Sequence, residues 1–192
     1  MKKNVCKISC LTSFLTIIIL PNISHAGQNA SAGCILDMDI ATHSYEQVIS
    51  STDIESNTRA YTDDIISVAI VAQNVSNIDT YQAEVMYDPT VLQYIEAWED
   101  APMHGIKNVL KTRGGTSIGF QAVERKAGVV NIANTLTRAD ISEAPEGSGV
   151  LAVMRFKVLT GDSTELGLRN VCFVDSFQNR DFITIKKHGN IN

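Results

Sequence analysis

The most regular pattern in the chain is Thr80-Tyr-Gln-Ala-Glu-Val-Met-Tyr-Asp-Pro-Thr-Val-Leu92, a strand pattern that runs directly into a turn. The alternation predicts two faces of one β-strand. Tyr81, Ala83, Val85 and Tyr87 face the core, and Thr80, Gln82, Glu84 and Met86 face outward. Asp88 can cap a helix and Pro89 suits its first position. The sequence therefore predicts a single helical turn that places Leu92 in the core.

Short runs rich in β-branched residues follow one another along the rest of the chain, separated by Gly, Asn and Asp turns. The predicted strands are 65–73, 80–87, 117–123, 129–136, 150–159, 164–168, 171–175 and 182–186, with earlier candidates at 34–40 and 45–50. No fifteen-residue segment has a sustained helical stripe. Many short strands without crossover helices predict an all-β fold, an antiparallel β-sandwich or barrel.

The strand at 150–159 also alternates, with Arg155 and Lys157 facing solvent at its end. Strict alternation places one set inward: Val150, Ala152, Met154, Phe156 and Val158. Leu151 and Val153 then lie on the second face and need a covering segment.

Composition limits the function classes. The 192 residues are 44% hydrophobic and 19% charged, as expected for a globular chain of one domain or at most two. The formal charge is -5, and no run of Lys and Arg exceeds two residues. Nucleic acid is therefore an unsuitable partner.

The first 26 residues have the pattern of an export signal. Lys2, Lys3 and Lys7 precede an apolar run at 11–20, and Ser24-His25-Ala26 offers a small-residue cleavage site. The run is about half the length that a membrane-spanning helix needs. The predicted organisation is a signal peptide at 1–26, an N-terminal extension with a first strand at 27–63, and a sandwich at 64–192. The mature protein is expected to be secreted or periplasmic.

Two cysteines, Cys34 and Cys172, follow the predicted signal peptide, one near each end of the domain. In an oxidising compartment this arrangement predicts a disulfide between them. The alternative is a pair of reduced, buried thiols.

Catalytic and metal-binding patterns are weak. Gly115-Thr-Ser-Ile-Gly119 matches a nucleophile-elbow motif, but that motif requires a strand that turns sharply into a helix. The residues after Ser117 alternate like a strand, which favours a hairpin. His43, His104 and His188 are widely separated and have no Cys or carboxylate at ligand spacing. We expect no catalytic residue, no metal site and no cofactor on this chain.

Five segments from Asp64 onward together resemble a cohesin domain, the receptor module of cellulosome-type scaffolds. They are Ile65-Ile-Ser-Val-Ala-Ile-Val-Ala72, Tyr87-Asp-Pro-Thr-Val-Leu92, Gly149-Val-Leu-Ala-Val-Met-Arg-Phe-Lys-Val158, Phe173-Val-Asp175 and Gly189-Asn-Ile191. The second and third are the most specific. The resemblance implies a nine-stranded jelly-roll sandwich that binds a dockerin-bearing or cell-surface protein without catalysis, any calcium being held by the partner.

In such a module the partner binds one flat sheet face. Transferred by position, that face carries small polar residues: Thr80, Gln82, Glu84, Ser117, Gln121, Asn131 and Thr135. A simply solvated sheet face is the alternative interpretation.

Carbohydrate binding, as a module that recognises polysaccharide, is the alternative function. Sugar-binding sandwiches present aromatic rings that cover the C–H face of a pyranose. Tyr94 and Trp98 lie four residues apart, which places them on one face of a regular strand. Their other interpretation is packing in the core or at its rim.

Overall fold

The computed structural model describes residues 27–40, 54–137 and 144–192, and it is almost entirely β-structure. Within these ranges, twelve strands form two sheets. Their bounds are β1 Gly33–Asp37, β2 Asn57–Thr58, β3 Ile65–Val75, β4 Ile78–Met86, β5 Leu92–Trp98, β6 Ser117–Lys126, β7 Val129–Leu136, β8 Gly147–Val158, β9 Thr164–Asp175, β10 Arg180–Phe182, β11 Ile185–Lys187 and β12 Gly189–Ile191. Two 3₁₀ helices, Pro102–His104 and Val109–Lys111, follow β5.

One sheet has five strands in the order β11-β1-β3-β8-β5, and the other has seven in the order β2-β12-β9-β4-β7-β6, with β10 paired to β9. Two short pairs at the margins, β1 with β11 and β2 with β12, are parallel, whereas the other ladders are antiparallel. The inner faces of the two sheets enclose the main core. This arrangement confirms the predicted β-sandwich.

The strand count differs from the nine implied by the resemblance. The predicted strands 164–168 and 171–175 are one continuous strand, β9. Asn170, between them, has a positive φ of 50°, and the pairing of β9 with β4 continues past it with a register shift. The predicted strand 182–186 is divided into β10 and β11, and β2 and β12 add a short parallel pair. The candidate strand 45–50 lies outside the described residues.

The turn after β4 is confirmed. The carbonyl oxygen of Asp88 accepts hydrogen bonds from the backbone N–H groups of Val91 (3.1 Å) and Leu92 (2.9 Å). The Asp88 carboxylate accepts from the N–H and the hydroxyl of Thr90, which caps the turn. Leu92 is fully buried in the core, as its position after the turn predicts.

Strand β8 departs from strict alternation. Its pairing with β3 shifts register between Ala152 and Val150, so Leu151 is an extra residue in a β-bulge. Leu151 consequently packs in the main core, and Val150 lies on the outer side with Val153. The predicted inward position of Val150 and the predicted outward position of Leu151 are therefore both wrong. The predicted cover exists, because Ala101 and Ile106 pack over Val150 and Val153.

The predicted disulfide is absent: Cys34 and Cys172 are free and buried thiols. Cys34 faces the core from β1 of the five-stranded sheet. Cys172 follows core-facing Val171 on β9 and pairs with outward-facing Gln82, so its side chain points away from the core. Burial raises the pKa of the Cys34 thiol to about 12, which keeps it in its unreactive protonated form.

Candidate binding face

The register of the seven-stranded sheet brings a row of side chains from each strand onto one outer face. Outward residues of β4 lie opposite those of β7, and the pairs are Thr80–Thr135, Gln82–Ala133, Glu84–Asn131 and Met86–Val129. Strand β6 adds Gln121 beside Ala133 and Val123 beside Asn131. Strand β9 adds Arg169 beside Glu84. We call this surface the outer face.

The structure brings together most of the residues predicted for partner binding. Thr80, Gln82, Glu84, Gln121, Asn131 and Thr135 all lie on the outer face. Alternation along β4 placed Thr80, Gln82 and Glu84. The resemblance to cohesin domains placed Gln121, Asn131 and Thr135.

Ser117 does not join them. It pairs with core-facing Leu136, and its hydroxyl donates to the Glu99 carboxylate at 2.6 Å. An irregularity between Ile118 and Gln121, where Gly119 has a φ of 78°, reverses the alternation of β6. Ile118, not Ser117, therefore occupies the outward position beside Thr135, and the predicted position of Ser117 is wrong.

Hydrogen bonds hold part of the outer face in place. The Glu84 carboxylate accepts from Nε of Arg169 at 2.8 Å and from the side-chain amide of Asn170 at 2.9 Å. The hydroxyl groups of Thr80 and Thr135 lie 2.6 Å apart across the strand pair. Such contacts restrict rotamers before a partner arrives and so reduce the entropy cost of binding.

A shallow depression of about 310 Å³ lies at the centre of the outer face. Gln82, Glu84, Gln121 and Asn131 line it together with Arg125. Within the described residues, no hydrogen bond to another protein group is formed by the side-chain amides of Gln82, Gln121 and Asn131. Their donors and acceptors are available to a bound partner.

Apolar side chains surround this polar centre, and the sequence reasoning missed them. Ile118 is 56% exposed, Val123 49% and Phe182 70%. Phe182 reaches the outer face because β10 pairs with β9 and places it beside Cys172. The sequence shows only that Phe182 begins the predicted strand 182–186, and the pairing of that strand cannot be read from local sequence.

The aromatic platform for carbohydrate binding does not form. The pairing of β5 with β8 shifts register between Tyr94 and Glu96, so Ile95 is an extra residue. Tyr94 turns inward and packs edge-on against Phe156 with ring centroids 5.9 Å apart. Trp98 lies on the opposite side, where the Arg155 guanidinium is 5.6 Å from its ring centroid. The prediction that both rings share a face is wrong.

Ser117 and His188 each have another hydrogen-bonding partner. Ser117 begins a strand instead of standing at a strand-to-helix elbow, and His188 pairs with Glu165 at 2.9 Å. Among the described residues, no group of three or more His, Cys, Asp and Glu side chains could hold a metal ion. No helix in the described ranges has the length and apolar character to cross a membrane.

Two packed, mainly antiparallel sheets around one main core define this chain as a β-sandwich. The family model for the cohesin domain matches residues 50–182. The chain therefore belongs to the cohesin family.

One curated protein is similar in sequence, and solved cohesin structures share the fold. Cell surface glycoprotein 1 of Acetivibrio thermocellus is 29% identical over 137 residues, which cover 66% of this chain and 6% of the glycoprotein. A type II cohesin domain from the cellulosome of Acetivibrio cellulolyticus has a TM-score of 0.60 at 17% identity, covering 84% of this chain and 95% of that one. A type II cohesin–X-dockerin complex from the same organism has a TM-score of 0.59 at 23% identity, covering 84% and 98%. This chain thus spans a small part of the curated relative's length.

Proposed function

We propose that this protein is an exported, non-catalytic cohesin module that binds a dockerin-bearing partner through the outer face. The observation that carries the proposal is a group of amides at the centre of this face, those of Gln82, Gln121 and Asn131, beside exposed apolar side chains. No other group in the described ranges forms a hydrogen bond with these amides. A polar centre with ordered neighbours and a few exposed apolar side chains suits a hydrogen-bonded protein interface.

The similar structures support the choice of partner, since one of them is a cohesin bound to an X-dockerin. The proposal places no metal on this chain and assigns calcium to the dockerin. Removal of calcium is then expected to abolish binding by unfolding the partner's site, while this protein remains folded.

The proposed location is outside the cytoplasm, either secreted or at the cell surface. The leader pattern at 1–26 supports export, and the curated relative is named as a cell surface glycoprotein. This module would then bind the dockerin-bearing protein outside the cytoplasm.

The test is titration calorimetry of the exported protein against a panel of calcium-loaded dockerin modules. Ala133→Arg places a long cation between Gln82 and Gln121 at the centre of the outer face. We expect this variant to weaken binding by at least about tenfold, because an unpaired charge would be buried at the interface.

Gln93→Arg is the matched control, since Gln93 is exposed on the other sheet. It should leave affinity unchanged. Equal losses in both variants, or no binding to any dockerin in the panel, would contradict the proposed face and partner. Binding that survives a calcium chelator would contradict a calcium-dependent dockerin.

A further inference from the structure

The buried carboxylate of Asp181 accepts hydrogen bonds from the first residues of the described chain. The backbone nitrogen of Gly27 lies 3.0 Å from Oδ1 of Asp181, and that of Asn29 lies 2.8 Å from Oδ2. Asp181 is only 7% exposed, and Gly27 is buried as well. In the described part of the chain, no Lys or Arg side chain forms a salt bridge with Asp181. A buried carboxylate without a cation is costly.

The cleavage site predicted from the leader falls directly before Gly27. A leader peptidase, which acts on exported proteins, would hydrolyse this peptide bond with water. The C–N bond between Ala26 and Gly27 breaks, a C–O bond forms on the Ala26 carbonyl carbon, and the nitrogen of Gly27 leaves as an amine that is protonated at neutral pH. The reaction therefore creates a cation at the atom that faces Asp181.

We propose that leader removal generates a terminal salt bridge between the Gly27 ammonium and the Asp181 carboxylate. This pair fastens the mature N-terminus to β10. The inference goes beyond dockerin binding and does not depend on it.

The local geometry suits a glycine terminus. A Cβ atom at position 27 would lie 2.1 Å from Oδ2 of Asp181, so a larger residue could not approach the carboxylate in this way. The chain then turns at Asn29, whose side-chain oxygen accepts the backbone N–H of Ser76 at 2.8 Å. The terminus is thus held by β10 and by the turn after β3 before it enters β1.

The first measurement is the intact mass of protein exported from the full-length gene. The expected species begins at Gly27. A mature chain that begins at any other residue would overturn the proposal, because the ammonium would then not lie at Asp181.

The second measurement is the rate at which an amine-acylating reagent labels the α-amine near pH 7. Free α-amines titrate at about 8 and lysines at about 10.4, so the terminus is normally the more reactive group. We expect the Gly27 amine to label at least about tenfold more slowly in the exported protein than in Asp181→Asn. The same variant should lower Tm by about 5 °C.

Asp162→Asn is the control, because it makes the same chemical change at an exposed turn. The Gly27 amine of this variant should be labelled as slowly as that of the unsubstituted protein. Gly27→Ala keeps both charges but obstructs their approach, so its amine should also label quickly, and this arm remains informative even if Asp181→Asn does not fold. Equal rates in the original protein and in Gly27→Ala would overturn the proposal.

Discussion

Asn108 makes the densest set of buried side-chain hydrogen bonds at the β8 bulge. Its amide donates to the carbonyl oxygen of Leu151 at 2.6 Å and to the hydroxyl of Tyr81 at 3.0 Å. Its oxygen accepts the backbone N–H of Leu110 at 2.9 Å. The Tyr81 hydroxyl also donates to the Leu151 carbonyl. Burial raises the pKa of Tyr81, so its hydroxyl remains a donor.

We predict that two substitutions in this network lower the free energy of unfolding by different amounts. Asn108→Ala should lower the free energy of unfolding by about 2–3 kcal/mol, because the buried N–H of Leu110 loses its partner. Tyr81→Phe should cost about 1 kcal/mol, since Asn108 still satisfies the Leu151 carbonyl. Urea denaturation measures both. A larger cost for Tyr81→Phe would contradict this account of the network.

Individual strands depart from alternation at specific places. Bulges in β5, β6 and β8 each move the following side chains to the other face of the sheet. They separate Tyr94 from Trp98 and exchange Ser117 for Ile118 on the outer face. The pairing of β4 with β7 has no register shift, so the outward residues of these two strands keep a strict alternation.

The hairpin between β6 and β7 supplies a prediction at the scale of the element. Gly128 has a φ of 85°, and a Cβ there would lie 2.7 Å from the Tyr87 carbonyl oxygen. Gly128→Ala should therefore cost about 2 kcal/mol or more in unfolding free energy, since strain and a backbone contact add.

Gly105→Ala is its matched control. Gly105 also has a positive φ, 66°, but nothing lies within 4 Å of its Cβ position. Only the backbone strain applies, so a cost of about 1 kcal/mol is expected. Similar midpoints in urea for the two variants would show that the contact with Tyr87 is unimportant.

At the scale of the whole molecule, Glu99 joins the two sheets beyond the end of β5. Its carboxylate accepts from the Ser117 hydroxyl at 2.6 Å and from the Asn134 amide at 2.8 Å, both on the seven-stranded sheet. It also pairs with Lys111 at 2.8 Å. Partial burial opposes ionisation, but the hydrogen bonds from Lys111, Ser117 and Asn134 outweigh it and lower the pKa of Glu99.

A lowered carboxyl pKa means that this stabilisation is present above the unfolded value of about 4.5 and is lost as pH falls below it. Glu99→Gln should therefore cost about 1 kcal/mol at pH 7 and less at pH 3, where part of the stabilisation is already lost. Urea denaturation at the two pH values measures this difference. Glu146→Gln, which alters an exposed pair with Arg113, should have little effect at either pH. A cost for Glu99→Gln that does not change with pH would contradict a role for its charge.

The sequence by itself determined the sandwich class, the turn at Asp88 and the outward row of Thr80, Gln82 and Glu84 on β4. Each of these follows from short-range physics, namely alternation along regular strands and the capping preference of Asp followed by Pro. Only the tertiary structure decided which strands are neighbours, where bulges reverse a face, and that Cys34 and Cys172 point in different directions. The reason is that a bulge is fixed by pairing between strands distant in sequence, and a single extra residue moves every later side chain to the opposite face.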